Sequence, residues 1–468
     1  MTFTFPQLST ANIESLQVQG NVLPIVVEFA ADTETPVSLF HKLTQNREGS
    51  MLLESIHSPE KRARYSFILL SPSETITDLN EVKEKLKSFR NIPIPNLPIF
   101  TGGYVGTINY ETVGEFEPTL KLKGEGKVQF DRYDTVVAFD HFQSKILFIT
   151  NLFLKNNIKD EMAKAKNTLE GLYEKFKYNQ SNLGLLQRAE KSVEPKSNTT
   201  KEAFKNAVIK AKKGIVDGEI FQIVLSQKFS TPFSEDPFTL YRALRMVNPS
   251  PYMFYINRGD RQIIGASPET LVRLEEGTVS IAPIAGTKPR GRNEEQDEAN
   301  AKDLLSDEKE LAEHRMLLDL GRNDIGRVSE IGTVELHNPE RIEKYSHVMH
   351  IVSDVQGTLR KDCDALDAFA SCFPAGTLSG APKIRAMQMI AELEPEARDI
   401  YGGGMGYFGF SGNMDFAIAI RTFVVENGTA SIQVGAGIVQ DSIPEKEYEE
   451  TMHKAEANFQ ALSYTAIH

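Results

Sequence analysis

Two pairs of glutamates carry the first chemical signal in this chain. Glu310 and Glu313 stand three residues apart in DEKELAEHRMLLDL, and Glu447 and Glu450 repeat that spacing in EKEYEETMHKAEA, with Lys454 one further turn along. On a helix such residues share a face, so each pair presents two carboxylates side by side. Taken singly, either pair also reads as a solvated helix face, and Glu450 with Lys454 as an ordinary supporting ion pair. If the two helices face each other, the carboxylates share a divalent cation. Like charges about 4 Å apart repel by about 4 kcal/mol at an effective dielectric of 20, so a close cluster needs one. Oxygen ligands with no His or Cys cluster alongside favour Mg2+, which keeps waters and completes its shell with substrate oxygens.

Three glycine-rich segments could receive an anion on main-chain N–H groups: PIAGTKPRG (283–291), PAGTLSGAPK (374–383) and GAG (435–437). Glycine lets the backbone approach a carboxylate closely, although each segment alone also reads as a turn. Two nucleotide motifs fail. GxGxxG at 404–409 is followed by FSGNMDFAIAI, a turn and a strand instead of the helix that would bind pyrophosphate. In PAGTLSGAPK, Pro382 separates Gly380 from Lys383, which breaks the P-loop pattern.

The acid pairs lie on two predicted helices, roughly Asp307 to Leu320 and Pro444 to Leu462. Thr200 caps another, whose Phe204, Val208, Ala211 and Ile215 recur with helical period until Asp217-Gly218 ends it. Strand-like runs appear at IFQIVLSQKF, QIIGASPETLVRL, AIAIRTFVV and ASIQVGAGI. Before them come alternating stretches such as Tyr65 to Leu70 and Asp134 to Phe139, and a helical region from Asn156 to Lys177. The polar stretch QRAEKSVEPKSNTT reads as a linker at 187–200, between an N-terminal α+β region (1–186) and a second domain (201–468). Residues 291–309, rich in Glu, Asp and Asn, read as a solvated loop and helix start.

Composition narrows the function. A chain of 468 residues with 40% hydrophobic content buries a sizeable core. A net charge of −12 argues against nucleic acid or an anionic membrane as partner, so positive potential for an anionic substrate must be built locally. Cys363 and Cys372 are too few for a disulfide framework or a zinc site and read as reduced packing residues. With no apolar run of about 18 residues and no signal-peptide pattern in MTFTFPQLST, the expected location is cytoplasmic.

Read together, GASPETLV, PIAGTKPRG, AEHRMLLDLGRNDIGRV, YSHVMHIVSDVQG, FPAGTLSGAPK, YGGGMGYFG, FAIAIRT, VGAGIV and EYEETMHKA run in the order found in the chorismate-utilising enzymes, from Gly265 to Ala455. The chain resembles that family strongly over 200–468 and more weakly before it. The resemblance implies an α+β fold, a large twisted antiparallel β-sandwich flanked by helices. It implies Glu313 and Glu450 as direct Mg2+ ligands, with Glu310 and Glu447 holding ligand waters. Gly286, Thr287, Thr377, Tyr401, Arg421, the backbone of Gly435, Ala436 and Gly437, and Lys454 would hold chorismate, whose two carboxylates suit a cation, an arginine fork and N–H donors. Glu269 is the expected general acid for the departing hydroxyl on ring carbon 4, and His350 the group moving a proton during pyruvate loss.

Two positions separate the members of the family. Aminodeoxychorismate-forming members place a nucleophilic lysine where this chain has Ala285, and isochorismate- and salicylate-forming members a water-activating lysine near Gln222. With neither lysine, direct attack of ammonia on carbon 2 is the expected chemistry, giving anthranilate and pyruvate. LLES at Leu52 to Ser55, RYS at 64–66 and NPSPYMFY at 248–255 resemble the tryptophan feedback pocket of the anthranilate-forming members. There Glu54 or Ser55 would take the inhibitor's amino group, with Leu53 also in the pocket, and Pro251, Tyr252 and Met253, with Met405, Gly406 and Tyr407, would enclose the indole. Neither cysteine sits in a glycine-flanked nucleophile turn, so ammonia is expected from a separate glutamine amidotransferase subunit in a hetero-oligomer.

Overall fold

A computed structural model describes residues 10–56, 64–189, 193–345 and 348–467. Two large antiparallel sheets dominate it. The first has twelve strands. From one edge run Val22–Ala30, Lys145–Phe153, Thr135–Asp140, Tyr65–Leu69, Met51–Glu54, Tyr252–Arg258, Arg261–Ser267, Thr422–Glu426, Thr429–Ile438, Gln222–Pro232 and Lys196–Ser197, and Gly380–Ala381 pairs with Gln222–Pro232 as well. The second has ten, with Thr270–Glu275, Met414–Ile418, Gly404–Gly409 and Gly103–Ile108 at its centre and Val348–Thr358 beside Ile284–Pro289 near one edge. Each sheet takes a block of strands from either side of 187–200, joined where Met51–Glu54 pairs with Tyr252–Arg258 in the first and Gly103–Ile108 with Gly404–Gly409 in the second.

The sheets face each other across an apolar layer containing Met51, Val136, Phe254, Ile256 and Ile263 from the first and Val105, Met405 and Tyr407 from the second. On strand Tyr252–Arg258 the alternate residues Met253 and Tyr255 point the other way, into a core shared with helices Ile158–Tyr178, Pro237–Val247 and Pro444–Ala461. A strand buried on both faces carries little polar alternation, which explains the nearly continuous apolar run YMFYI. The outer face of the second sheet packs on helices Glu308–Gly326, Ala365–Cys372 and Lys383–Leu393. The order is therefore helix, sheet, sheet, helix. Among the described residues no helix is long and apolar enough to cross a membrane.

Local chemistry sets the helix ends. Thr200 accepts a hydrogen bond from Ala203 N and starts Lys201–Val216, whose Phe204, Val208 and Ala211 are buried. Asp307 caps Glu308–Gly326 by accepting from the N–H groups of Lys309 and Glu310. This helix buries His314, Leu317, Leu318, Gly321 and Ile325 at helical spacing, which turns Glu310 and Glu313 to one side of its first turns. The acidic stretch 291–309, expected as a solvated loop and helix start, is mostly helix. Residues Glu294–Ser306 form a helix capped by Asn293, with three acids in its first turn favouring the positive end of the helix dipole.

QIIGASPETLVRL and AIAIRTFVV, read as single strand-like runs, each divide between the sheets. Arg261–Ser267 lies in the first sheet and Thr270–Glu275 in the second, while Met414–Ile418 lies in the second and Thr422–Glu426 in the first. Glu269 stands at one crossing and Arg421 at the other.

Candidate active site

The two crossings are stitched together: Ile418 N donates to Glu269 O at 3.0 Å, and Ala266 N donates to Arg421 O at 3.1 Å. These bonds hold Glu269 and Arg421 side by side where the chain crosses between the sheets. Arg421 has φ +51°, a conformation uncommon outside glycine that the surrounding strands impose. Burial pushes its guanidinium pKa down, against the pull of Tyr401 and Glu269. Its side chain makes no hydrogen bond or ion pair to other described residues, so a desolvated cation faces the site with its fork free.

Glu269 is 8% exposed. Desolvation pushes its carboxyl up to about 7, opposed by a hydrogen bond from Thr377 and by the charges of Lys454 and Arg421. Thr377 Oγ1 donates to Glu269 Oε1 at 2.8 Å from the 3-10 turn Gly376–Leu378. A cavity of about 40 Å³, room for water, adjoins Glu269 and Thr377 and reaches Leu317, Gly321 and Asp324 on helix Glu308–Gly326.

His350 comes from strand Val348–Thr358, opposite Thr287. Its Nδ1 is 2.8 Å from the carbonyl of Gly286 and 3.1 Å from Thr287 Oγ1. A carbonyl only accepts, so the proton is assigned to Nδ1 and the lone pair to Nε2. Burial keeps the ring below its ordinary pKa, helped by the charges of Arg421 and Lys454, so the neutral imidazole prevails at neutral pH. Gly286 has φ +69°, which glycine adopts without strain, and a bulge between Ala285 and Thr287 aims this carbonyl at the imidazole.

The GAG segment lies on strand Thr429–Ile438, with Gly435 opposite Ser226 and Gly437 opposite Val224. A Cβ on Gly435 would come within 2.6 Å of the Tyr401 hydroxyl, and one on Gly437 within 2.9 Å of Gln222 Nε2. Gly435, where a Cβ would also lie 2.8 Å from Leu225 O, therefore has to remain bare, whereas at Gly437 a Cβ would only displace the Gln222 amide. Ala436, between them, points into the apolar core. Lys454, on helix Pro444–Ala461, donates to Gly435 O at 3.2 Å and pairs with Glu450 at 2.7 Å. That helix is fixed to the neighbouring strand by Gln227 Nε2, which donates to Thr451 Oγ1 at 2.7 Å, and by Phe459 stacked edge-on against Phe229.

The two acid pairs come close enough for the charge of Glu450 to act on Glu313. Glu313 accepts from Gln222 Nε2 at 3.1 Å, and its pKa is raised by desolvation and then by the charges of Glu310 and Glu450. Burial raises Glu447 and Glu310 as well, with Glu450 adding to the first and Asp307 to the second. Among the described residues no three His, Cys, Asp or Glu side chains are close enough to cage a metal by themselves. Two carboxylates and several waters suffice for Mg2+. Gln222 Oε1, buried without a partner, adds an unused acceptor beside Glu313. Glu313, Glu310 and Glu447, raised by burial and neighbouring acids, together with a spare acceptor, fit a hard cation.

The residues assigned to the feedback pocket divide between two faces. Glu54 and Met253 are opposite each other in the first sheet and point toward helix Pro237–Val247. Both Glu54 oxygens are taken there: Arg245 donates at 2.9 and 3.2 Å, and Tyr241 also donates. Leu53 and Tyr407 pack between the sheets. Tyr252 reaches Asp415 Oδ1 and Thr270 Oγ1, each at 2.9 Å, and Asp415 is opposite Tyr407. Gly406 opposes Phe416 on the same strand pair, and Ser55 and Pro251 are half-buried. Sequence reasoning missed Tyr345, whose ring centroid is 5.4 Å from that of His350, and the buried ion pair Glu394–Arg398.

Comparison with known proteins agrees with this geometry. The chorismate binding enzyme family matches residues 47–460. The chain belongs to that family. Within it the chain falls with anthranilate synthase component 1, being 46% identical to that protein of Aquifex aeolicus over 97% of both chains, and 44% identical to that of Bacillus subtilis over 93% of this chain and 91% of the other. The crystal structure of anthranilate synthase component I from Streptococcus pneumoniae superposes with a TM-score of 0.75 at 38% identity, covering 86% of this chain and 94% of that one. The menaquinone-specific isochorismate synthase of Escherichia coli reaches the same TM-score at 19% identity, a likeness of fold alone.

Proposed function

We propose that the chain converts chorismate and ammonia to anthranilate, pyruvate and water, the first committed step of tryptophan biosynthesis. The observation that carries this reading is Arg421, a guanidinium unpaired among the described residues, beside a carboxylic acid at about 7. It suits a substrate that brings a carboxylate and a hydroxyl that must leave. Arg421, Tyr401 and the N–H groups of Gly435 to Gly437 bind and orient the anion. Glu269 gives its proton to the hydroxyl on carbon 4 as the C–O bond breaks and the ammonia nitrogen bonds to carbon 2. Thr377 holds that carboxyl in place. His350, neutral with Nε2 free, then takes the proton from carbon 2 as the ether C–O bond breaks and pyruvate leaves. Glu313 and Glu450 would hold Mg2+, with Glu310 and Glu447 positioning its waters, and the ion would supply Lewis-acid withdrawal from the ring carboxylate.

Ala285 is the specific departure from aminodeoxychorismate-forming members, and the neutral Gln222 from isochorismate-forming ones. Ammonia is supplied by a separate glutamine amidotransferase subunit, in keeping with the component 1 naming of the relatives. Tryptophan is taken as a feedback inhibitor at Ser55, Pro251, Tyr252, Gly406 and Tyr407. Because Arg245 and Tyr241 already engage Glu54, Ser55 is the better contact for the amino group.

Purified chain incubated with chorismate, Mg2+ and an ammonium salt tests the reaction. Release of anthranilate with equimolar pyruvate is the expected result. Aminodeoxychorismate without pyruvate, or no turnover, overturns it.

A further inference from the structure

We propose that Arg398, clamped to Glu394, is a positioning residue for this reaction: it holds the Thr377 turn, Tyr401 and the strand pair carrying Gly435 and Gly437 in one register. The inference rests on the reading that those residues face chorismate. Arg398 and Glu394 are 3% and 5% exposed, deep behind the site and away from the reacting atoms.

The bonds of the guanidinium end on a segment that carries a candidate substrate contact or on the direct neighbour of one. Nη1 donates to Leu378 O at 2.6 Å, directly after Thr377. Nη2 donates to Val224 O at 2.8 Å, and Val224 is opposite Gly437. Nε and Nη2 grip the two Glu394 oxygens at 2.9 and 2.7 Å. Glu394 Oε1 also accepts from Ser226 N at 2.8 Å and Ser226 Oγ at 2.7 Å, and Ser226 is opposite Gly435. The guanidinium lies 5.4 Å from the Tyr401 ring centroid and 4.7 Å from that of Tyr110, and the Arg398 carbonyl accepts from Tyr401 N at 3.1 Å. On the far side, Glu111 accepts from Arg398 N at 2.7 Å.

Stability alone does not call for such a pair. Taking two charges out of water is costly, and well-packed apolar residues commonly serve a core as well or better. What an apolar pair cannot do is fix four separate segments by direction as well as distance. The planar fork of arginine donates in set directions to three different acceptors here, whereas lysine, a flexible point charge, does not reproduce them. Such precision matters where the donors must meet developing charge within a fraction of an ångström.

The test compares wild type with Arg398→Lys and Ser226→Ala in the full chain, using chorismate, Mg2+ and ammonium chloride, with circular dichroism melts alongside. Arg398→Lys is expected to raise the chorismate KM and lower kcat, each by tenfold or more. It should also move the alkaline limb of the kcat/KM profile upward, as Thr377 loses its hold on Glu269. Ser226→Ala, which deletes the hydroxyl bond to Glu394 and the acceptor of Gln433 Nε2, is expected to raise KM several-fold while staying folded. A folded Arg398→Lys with constants and pH profile within twofold of wild type overturns the inference, even if it melts earlier. Should that variant fail to fold, unchanged kinetics in Ser226→Ala overturn it equally. Absence of chorismate turnover in wild type would sink the functional reading and this inference together, whereas normal wild-type turnover with an unimpaired variant sinks only the inference.

Discussion

Thr377 and Glu269 are joined by a 2.8 Å hydrogen bond across the mouth of the site, donated by the threonine hydroxyl to a buried carboxyl. The bond favours the charged form of Glu269, yet desolvation outweighs it and leaves the group at about 7. As a general acid Glu269 works when protonated, so kcat/KM should fall as pH rises through about 7. Thr377→Val removes the opposing bond and should carry the falling limb to higher pH. A profile flat from pH 6 to 9 would exclude Glu269 as the acid.

Glu269→Gln should cost roughly 10²- to 10⁴-fold in kcat, the usual worth of a positioned acid. Its stability should move the other way. A carboxyl whose folded pKa lies above its unfolded value of 4.5 stabilises the fold at low pH, and that contribution is lost as pH rises from there through about 7. The neutral amide escapes this loss. Melting curves at pH 8 should therefore place the variant no lower than wild type, and a clear drop would make Glu269 a structural residue instead.

Carboxylates raised by burial and by one another, as Glu313 is by Glu310 and Glu450, are relieved when a cation binds. Mg2+ at 100 times its Kd should stabilise the native chain by about 2.7 kcal/mol by mass action, visible as a rise in Tm without any substrate. Glu313→Ala or Glu450→Ala should abolish both that rise and the Mg2+-dependent activity while the fold survives. Full activity in either variant, or an unchanged Tm response, removes these residues from the metal site.

The parts of this site that were legible in the sequence are those fixed by local rules. Thr200 and the periodic Phe204, Val208 and Ala211 announced their helix, and the two glutamate pairs announced theirs, because caps and the helical period act within a few residues. The sheet crossings at 267–270 and 418–422 were not legible, since QIIGASPETLVRL shows the same alternation whichever strand pairs with it. Nothing local says that Arg261–Ser267 meets Thr422–Glu426 while Thr270–Glu275 meets Met414–Ile418, although that switch is what puts Glu269 beside Arg421. In 291–309 a helix start was legible but not its extent: the acidity suggested a solvated loop, although Asn293 followed by three acids marks the start of Glu294–Ser306. Glu394 and Arg398 gave no signal: Glu394 stands past the end of helix Lys383–Leu393, just before Pro395, and nothing local reveals that both side chains are buried against each other.

Ser55→Phe should leave kcat and the chorismate KM near wild type and raise the tryptophan concentration for half-inhibition by tenfold or more, equivalent to about 1.4 kcal/mol of lost binding. Ser55 is half-buried just past strand Met51–Glu54, outside the site built by Glu269, Arg421 and Lys454. An unchanged inhibition curve would take the pocket away from this strand end.

Glu54 should behave differently from its neighbour. Its carboxylate is wholly buried and receives Arg245 and Tyr241, so Glu54→Ala strands a guanidinium and a phenol that have lost their acceptor. Breaking one side of a buried pair typically costs about 3–5 kcal/mol, and the exposed third of Arg245 places this one toward the lower end. The expected outcome is a marked fall in Tm with or without tryptophan, and partial restoration when Arg245 is also replaced by methionine, which removes the stranded charge. If Glu54→Ala instead melts like wild type and loses only its response to tryptophan, the carboxylate belongs to the inhibitor and Arg245 is its resting partner.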